Sequence, residues 1–220
     1  MAKQNEHGRI IATAAKATLL PIGCRRIGQS RCWISDQRYW IILIEFQPSA
    51  WAKGSYLNVT PHWLWLRYGA NDYHPRPADF IPFENAKQFT PLIENMAAVA
   101  ARTVLDMRAR FRTPEKVYRF FAERISQNPF PLYRAAATAG FVRDVALARQ
   151  LFKRMETLGT ENYGSWINDL KFECATLAAM LDDSVRYRSA ILDAVTERRH
   201  RFRLSPDAQC LESVNPRDSR

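Results

Sequence analysis

Apolar and polar positions alternate through much of the first third of the chain, and this alternation predicts β-strands. Residues 31–35, 38–46 and 55–66 are rich in β-branched and aromatic side chains, as strands usually are. Residues 8–20 show instead the broad apolar stripe of an amphipathic helix. The pattern therefore predicts one helix followed by a small antiparallel sheet of three or more strands.

The periodicity becomes helical from Thr90 onward. Thr90-Pro91 and Thr113-Pro114 each have the form of an N-cap followed by proline at the first helical position. They predict helices that end near residues 111 and 125. Further helices are expected on both sides of Gly140 and after two polar breaks, at residues 130–139, 143–158, 165–181 and 183–203.

These elements predict an α+β fold, in which strands and helices are segregated along the chain. Residues 68–89 are rich in proline, and we expect them to form a long irregular connection. A loop of this length is uncommon unless it covers or forms a functional site. We expect an α+β domain over residues 1–125 and a helical extension packed on it over residues 126–204. Residues 205–220 are expected to form a disordered tail.

The hydrophobic match between the two long strands selects their register. Trp40, Ile42, Ile44 and Phe46 share one face and are expected to meet the apolar face of the next strand, with Phe46 opposite Leu57. A slip of one residue would place these side chains opposite polar ones.

The same register predicts a polar cluster on the other face, at the end nearest the connecting loop. Two interpretations stay open. Amides in the cluster could bond the backbone of the 48–54 loop, as they often do near turns. Alternatively, the cluster could hold a ligand or a partner, with an aromatic ring stacked on it. The cluster contains Glu45, Gln47, Ser49, Trp51, Tyr56 and Asn58.

The net charge of +10 points weakly toward polyanionic partners such as nucleic acid. The excess lies in residues 101–160, with 12 Lys and Arg against 5 Asp and Glu. Arginine supplies 25 of the 32 cations, which a GC-rich genome also produces. Arg25, Arg26 and Arg31 border the aromatic strands. Arginine together with aromatic side chains can bind phosphates and stack on bases. They are the candidate nucleic-acid contacts.

No sequence motif identifies a reaction. A phosphate-binding glycine loop, a zincin helix and a nucleophile elbow are all missing, and the four histidines show no metal-ligand spacing. We therefore predict no catalytic residue, no metal and no cofactor. Glu45 is the one carboxylate placed like an acid or base, so an enzyme using Glu45, Gln47 and Asn58 remains an alternative. The scattered cysteines and the lack of a signal peptide or membrane span predict a cytoplasmic protein with reduced thiols.

Three short motifs resemble a bacterial family known as domain of unknown function 4304. They are "GCRRIG" after the first helix, "FQPS" at the end of a strand, and "YLNV" in the next strand. The resemblance covers about residues 8–125 and implies a compact α+β domain. It implies no established activity and no catalytic residues.

The sequence favours a non-catalytic binding or adaptor protein. It would contact a protein partner through the sheet face and the 68–83 loop. Family context, and no individual residue, suggests a toxin-immunity or phage-defence gene set. A nucleic-acid-binding protein that uses the basic central band is the main alternative. The sequence leaves the partner's identity and the oligomeric state open.

Overall fold

The computed structural model describes residues 6–69 and 77–206 and has the predicted α+β architecture. An N-terminal helix, α1 (Glu6–Leu19), precedes a sheet. The strands follow in chain order: β1 (Arg25–Arg26), β2 (Cys32–Asp36), β3 (Trp40–Gln47), β4 (Gly54–Trp63) and β5 (Ala78–Pro82). Helices occupy the rest: α2 (Ala86–Arg110), α3 (Pro114–Ala122), α4 (Pro129–Phe141), α5 (Val145–Glu156), α6 (Trp166–Ala178) and α7 (Ser184–Arg201).

The sheet has five antiparallel strands in the order β1-β2-β3-β4-β5, so each strand lies beside its neighbour in sequence. Trp33 of β2 is paired with Ile44 of β3. Between β4 and β5, Ser55 is paired with Ile81 and Leu57 with Ala78, with an irregularity between these two pairs. Such an arrangement needs only short connections between strands.

Strand β5 and the start of α2 lie within the connection that the sequence predicts to be irregular. Residues 78–82 form a strand and α2 begins at Ala86, while residues 70–76 of the predicted 68–83 loop lie outside the described residues. The expectation is therefore wrong for residues 78–82 and 86–89. The segment "ADFIP" is too short to show an alternation, and its strand character comes from pairing with β4.

Helix α2 begins before Thr90, so Thr90-Pro91 is not its N-terminus. The side chain of Asn85 accepts a hydrogen bond from the backbone N–H of Gln88 at 3.0 Å, and Pro91 lies inside the helix. The hydroxyl of Thr90 donates to the Ala86 carbonyl at 2.8 Å. Asn85 supplies the cap that the sequence assigns to Thr90, because asparagine is an equally good capping residue.

Burial along β3 confirms the predicted inner face. Trp40, Ile42, Ile44 and Phe46 are buried, and Leu57 of β4 is buried with them.

Strand β4 contains a proline, Pro61. It lies beyond the last β4–β5 pair, at Leu57, so its missing N–H costs no hydrogen bond to β5.

The described part of the chain forms two compact units. Residues 6–62 and 77–109 lie in the first, which we call the sheet unit. Residues 63–69 and 110–206 lie in the second, the helical unit. The end of β4 belongs to the helical unit because Trp63 lies edge-on to Phe111, at 5.0 Å, and to Phe121, at 5.5 Å, between ring centroids.

Helix α4 is the centre of the helical unit and is buried over most of its length. Gly140 lies inside α4, whereas the sequence places it between two helices. The turn to α5 comes later, at Arg143, which has a φ of 69°. An added Cβ at position 140 would lie 2.3 Å from the Tyr187 hydroxyl, so the glycine serves close helix packing.

Candidate binding surface on the β3–β4 hairpin

Three polar side chains on the half-buried face of the β3–β4 pair form one hydrogen-bonded network. The Asn58 side-chain amide donates to Oε1 of Gln47 at 2.6 Å and to Oε2 of Glu45 at 3.2 Å. Both N–H groups of that amide therefore have acceptors within the network. The structure brings together the predicted polar residues of this face, but they bond one another across the strands. No bond from Gln47 or Asn58 to the loop backbone is among those described.

The loop between β3 and β4 carries Trp51, whose side chain is 97% exposed. The backbone N–H of Trp51 donates to the Ser49 hydroxyl at 3.1 Å, an arrangement typical of a turn stabilised by serine. At the other end of the loop, the Lys53 carbonyl accepts from the Phe83 backbone N–H at 2.9 Å. Hydrogen bonds thus hold the backbone on both sides of the exposed indole.

The loop returns into β4 at Gly54, which must be glycine. Its φ is 152°, and an added Cβ would lie 2.2 Å from the Ile81 carbonyl oxygen and 2.6 Å from the Phe80 ring. Those atoms belong to β5, so the close approach of β5 fixes where the hairpin loop begins and ends.

An aromatic pair borders the polar network. The rings of Tyr56 in β4 and Phe80 in β5 are 4.7 Å apart between centroids, with planes tilted by 42°. Tyr56 is half-buried. We call the six predicted residues, now placed on this hairpin and its loop, the hairpin surface: Glu45, Gln47, Ser49, Trp51, Tyr56 and Asn58.

Beside the loop lies a cavity of about 310 Å³ that the sequence does not reveal. Its lining comes from the loop between Pro48 and Gly54, together with His7 of α1. Nη2 of Arg31 lies 2.9 Å from Nε2 of His7. Because arginine can only donate, Nε2 accepts and the imidazole is neutral with its proton on Nδ1. Burial, Arg31 and Lys53 all lower the pKa of His7, which favours the same neutral form.

This contact joins residues 24 positions apart, and no local motif in the sequence indicates it. His7 is buried and its ring lies 5.5 Å from Phe83 and 6.4 Å from Phe89, between centroids. Sequence reasoning gives His7 no role. In the structure its ring lines the cavity beside the loop that carries Trp51.

The three arginines predicted to contact nucleic acid have different surroundings. The Arg26 guanidinium donates to the backbone carbonyls of Ser30 at 2.7 Å and Gln29 at 2.9 Å, which closes a turn. Arg31 is half-buried against His7. Arg25 is exposed on β1. The guanidinium groups of Arg26 and Arg31 therefore have intramolecular partners.

Basic residues at the helix ends also make intramolecular contacts. Arg108 donates to the Ser35 hydroxyl at 2.8 Å, and Arg110 lies 5.0 Å from the centroid of the Phe120 ring. Near the end of α7, Arg199 donates to the Ser205 carbonyl at 2.8 Å, and Arg198 donates to the Arg67 carbonyl. These groups hold the fold together, as expected for cations near helix C-termini.

The described residues contain no group of three or more histidine, cysteine or acidic side chains arranged to hold a metal ion. Cys24, Cys32 and Cys174 are free thiols, and burial raises the pKa of each. Across residues 6–69 and 77–206, no helix combines the length and the apolar character needed to cross a bilayer.

Comparison with protein-family models, with curated proteins and with solved structures gave no match. The resemblance to domain of unknown function 4304 therefore stays a prediction.

Proposed function

We propose that this chain is a non-catalytic binding protein of the cytoplasm that contacts a protein partner through the hairpin surface. The observation that carries the proposal is Trp51, a large apolar side chain 97% exposed on a loop held at both ends. A buried tryptophan removes about 200 Å² from water, worth about 5 kcal/mol at 25 cal/mol per Å². Tryptophan is also the residue most enriched among the side chains that dominate protein interfaces.

The surroundings of Trp51 suit a protein partner. The Glu45–Asn58–Gln47 network beside it is half-buried and internally bonded, so it offers a fixed polar edge without a large ordering cost. Tyr56 adds a second amphipathic ring. An aromatic anchor with a polar rim is the usual composition of a protein interface. The described part of the predicted 68–83 loop borders this surface through Phe80.

The geometry favours a protein over nucleic acid. The carboxylate of Glu45 lies in the polar network and would repel phosphates. Arg26 and Arg31 have intramolecular partners. Catalysis by Glu45, Gln47 and Asn58 is also less well supported, since both donors of the Asn58 amide are used within the network. The free thiols of Cys24, Cys32 and Cys174 support a reducing compartment. A place in a toxin-immunity or phage-defence gene set stays a proposal.

The test uses purified products of the neighbouring genes as candidate partners and titration calorimetry with the full chain. We expect Trp51→Ala to weaken binding by about thirtyfold, as loss of a dominant interface residue does. Val185→Ala is the matched control, because Val185 is also an exposed apolar side chain, 78% exposed, but lies in the helical unit. It should bind as the wild type does.

A partner that binds the wild type and Trp51→Ala equally would contradict the proposal. A parallel titration with a random RNA oligonucleotide addresses the alternative. Binding that weakens steeply with salt, and that is unaffected by Trp51→Ala, would favour the nucleic-acid function instead.

A further inference from the structure

The helical unit contains a second cavity, of about 550 Å³, between α5 and α6. Its floor is apolar: Phe152, Cys174 and Leu181 line it and are almost completely buried. Burial raises the pKa of the Cys174 thiol to about 12, with Glu173 adding to the effect, so this side chain is uncharged at neutral pH. A cavity of this size with an apolar floor matches the usual dimensions of a small-molecule site.

An unusual side chain stands at the mouth of this cavity. Phe172 on α6 lines it and is 76% exposed. An exposed phenylalanine on a helix gains nothing from folding, so a ligand that covers it would bury apolar area that the folded protein leaves in water.

The rim is positively charged. Arg149 and Lys153 on α5 and Lys171 on α6 line the cavity, and these three cations face two carboxylates, Glu156 in the lining and Asp182 beside Arg149. The rim therefore attracts an anionic group, while the floor excludes one.

We propose that this groove binds a small amphiphile with an unbranched apolar chain and an anionic head, such as a medium-chain carboxylate. The chain would lie on Phe152 and Leu181 under Phe172, and the head would reach Lys153 or Arg149. The volume favours a small molecule over a protein segment, since it lies in the range of ligand pockets.

The ion pairs at the rim leave its cations able to bind the anionic head group. Lys153 pairs with Glu156 at 2.8 Å and Arg149 with Asp182 at 2.7 Å, and all four side chains are more than half exposed. Exposed pairs of this kind contribute little to stability, so either cation exchanges its partner at little cost. Lys171 has a different task, because its ammonium donates to the carbonyls of Glu156 at 3.1 Å and Leu158 at 2.5 Å. It neutralises the negative end of α5 beside the head group.

The experiment titrates the full chain with decanoate at neutral pH and measures heat of binding. Decanol, which has the chain without the charge, and acetate, which has the charge without the chain, are the matched probes. Decanoate should bind, decanol about fivefold more weakly, and acetate not measurably. Lys153→Gln should weaken decanoate about fivefold but leave decanol unchanged, and Lys87→Gln on α2 should change neither.

Two substitutions fill the groove. Ala178→Phe and Ala175→Phe place a ring in its lining, whereas Ala179→Phe adds the same ring to an exposed neighbour outside the lining. The first two should abolish decanoate binding and the third should preserve it. Circular dichroism verifies folding, and Ala175→Phe, at an exposed position, carries the test if Ala178→Phe does not fold.

Three results would overturn the proposal: no decanoate binding to the wild type, equal binding of decanol and decanoate, or unchanged binding in a folded groove-filling variant. An acidic amphipathic helical peptide is the last probe. If it binds the groove where decanoate does not, the groove is a protein-docking site and the small-amphiphile proposal is wrong.

Discussion

The Tyr187 hydroxyl lies against the backbone of Gly140, where any side chain would collide with it. That hydroxyl also donates to the Ala137 carbonyl at 2.9 Å, so α7 is hydrogen-bonded to α4 beside the glycine. Both groups are buried. The pair shows that a small residue in α4 permits a close approach of α7, and that the tyrosine satisfies its own polar atom there.

We expect Gly140→Ala to destabilise the protein, although alanine is the better helix former. The added methyl must displace Tyr187, which breaks its hydrogen bond and overpacks the core, at a cost of about 2 kcal/mol. Urea denaturation measures this cost. The double variant Gly140→Ala/Tyr187→Phe should recover little of it, because the ring carbon Cζ, 2.4 Å from the added Cβ, still collides. A Gly140→Ala protein more stable than the wild type would show that the helix propensity of alanine outweighs the collision with Tyr187.

The buried face of β3 could be predicted from the sequence because alternation places Ile42, Ile44 and Phe46 on one side of the strand. The same alternation places Glu45 and Gln47 on the other side, where Asn58 bonds both. In contrast, β5 shows no periodicity, and its formation depends on pairing with β4. The start of α2 was misplaced because Thr90-Pro91 has the composition of a helix start while Asn85 supplies the cap.

The cavity beside the hairpin could not be predicted, since it depends on a contact between residues far apart in sequence. His7 and Arg31 carry no local motif, and only the folded chain places one ring nitrogen beside one guanidinium. The same limit applies to Arg198 and Arg199 near the end of α7. The carbonyls of Arg67 and Ser205 that they contact are set by tertiary structure.

Asn58→Asp tests the polar network directly. The substitution replaces two donated hydrogen bonds with a carboxylate about 3 Å from the oxygens of Glu45 and Gln47. Repulsion should destabilise the variant by about 1 to 2 kcal/mol at neutral pH relative to the wild type. The deficit should shrink as the pH falls toward about 4, because protonation of the introduced aspartate removes the repulsion. Thermal unfolding at several pH values measures it, and a deficit independent of pH would contradict a charge origin.

Trp51→Ala should leave stability almost unchanged, within about 0.5 kcal/mol, because the indole is 97% exposed. Trp63→Ala should cost about 3 to 5 kcal/mol, since that ring is buried among Phe111 and Phe121. Chemical denaturation of both variants makes the comparison. A large loss in Trp51→Ala would mean that the indole stabilises the fold, and its proposed role in binding would lose its main support.

Protonation of His7 should destabilise the sheet unit. Burial, Arg31 and Lys53 lower the pKa of this imidazole in the folded state below its ordinary value of about 6.5. The unfolded chain therefore binds a proton more readily, and the stability gained from the neutral ring is lost as the pH falls below about 6.5. His7→Phe keeps an aromatic ring without titrating. The wild type should lose stability relative to this variant between about pH 7 and pH 5, and a constant difference would contradict the assignment.

The opposite pH dependence is expected at Tyr118. Its hydroxyl donates to Oδ2 of Asp144 at 2.5 Å, while Oδ1 of that carboxylate caps α5 at the Leu147 N–H. The hydrogen bond to Asp144, with burial and its negative charge, raises the pKa of Tyr118 to about 12. The protonated hydroxyl is favoured in the folded state, so its contribution is complete below about pH 10 and disappears as the pH rises toward 12. Tyr118→Phe should cost about 1 kcal/mol at neutral pH. This cost should disappear as the pH rises to about 12, because the Tyr118 hydroxyl then loses the proton that it donates. The other tyrosines titrate equally in both proteins and do not affect the comparison. A cost that persists at pH 12 would rule out the hydrogen bond as its source.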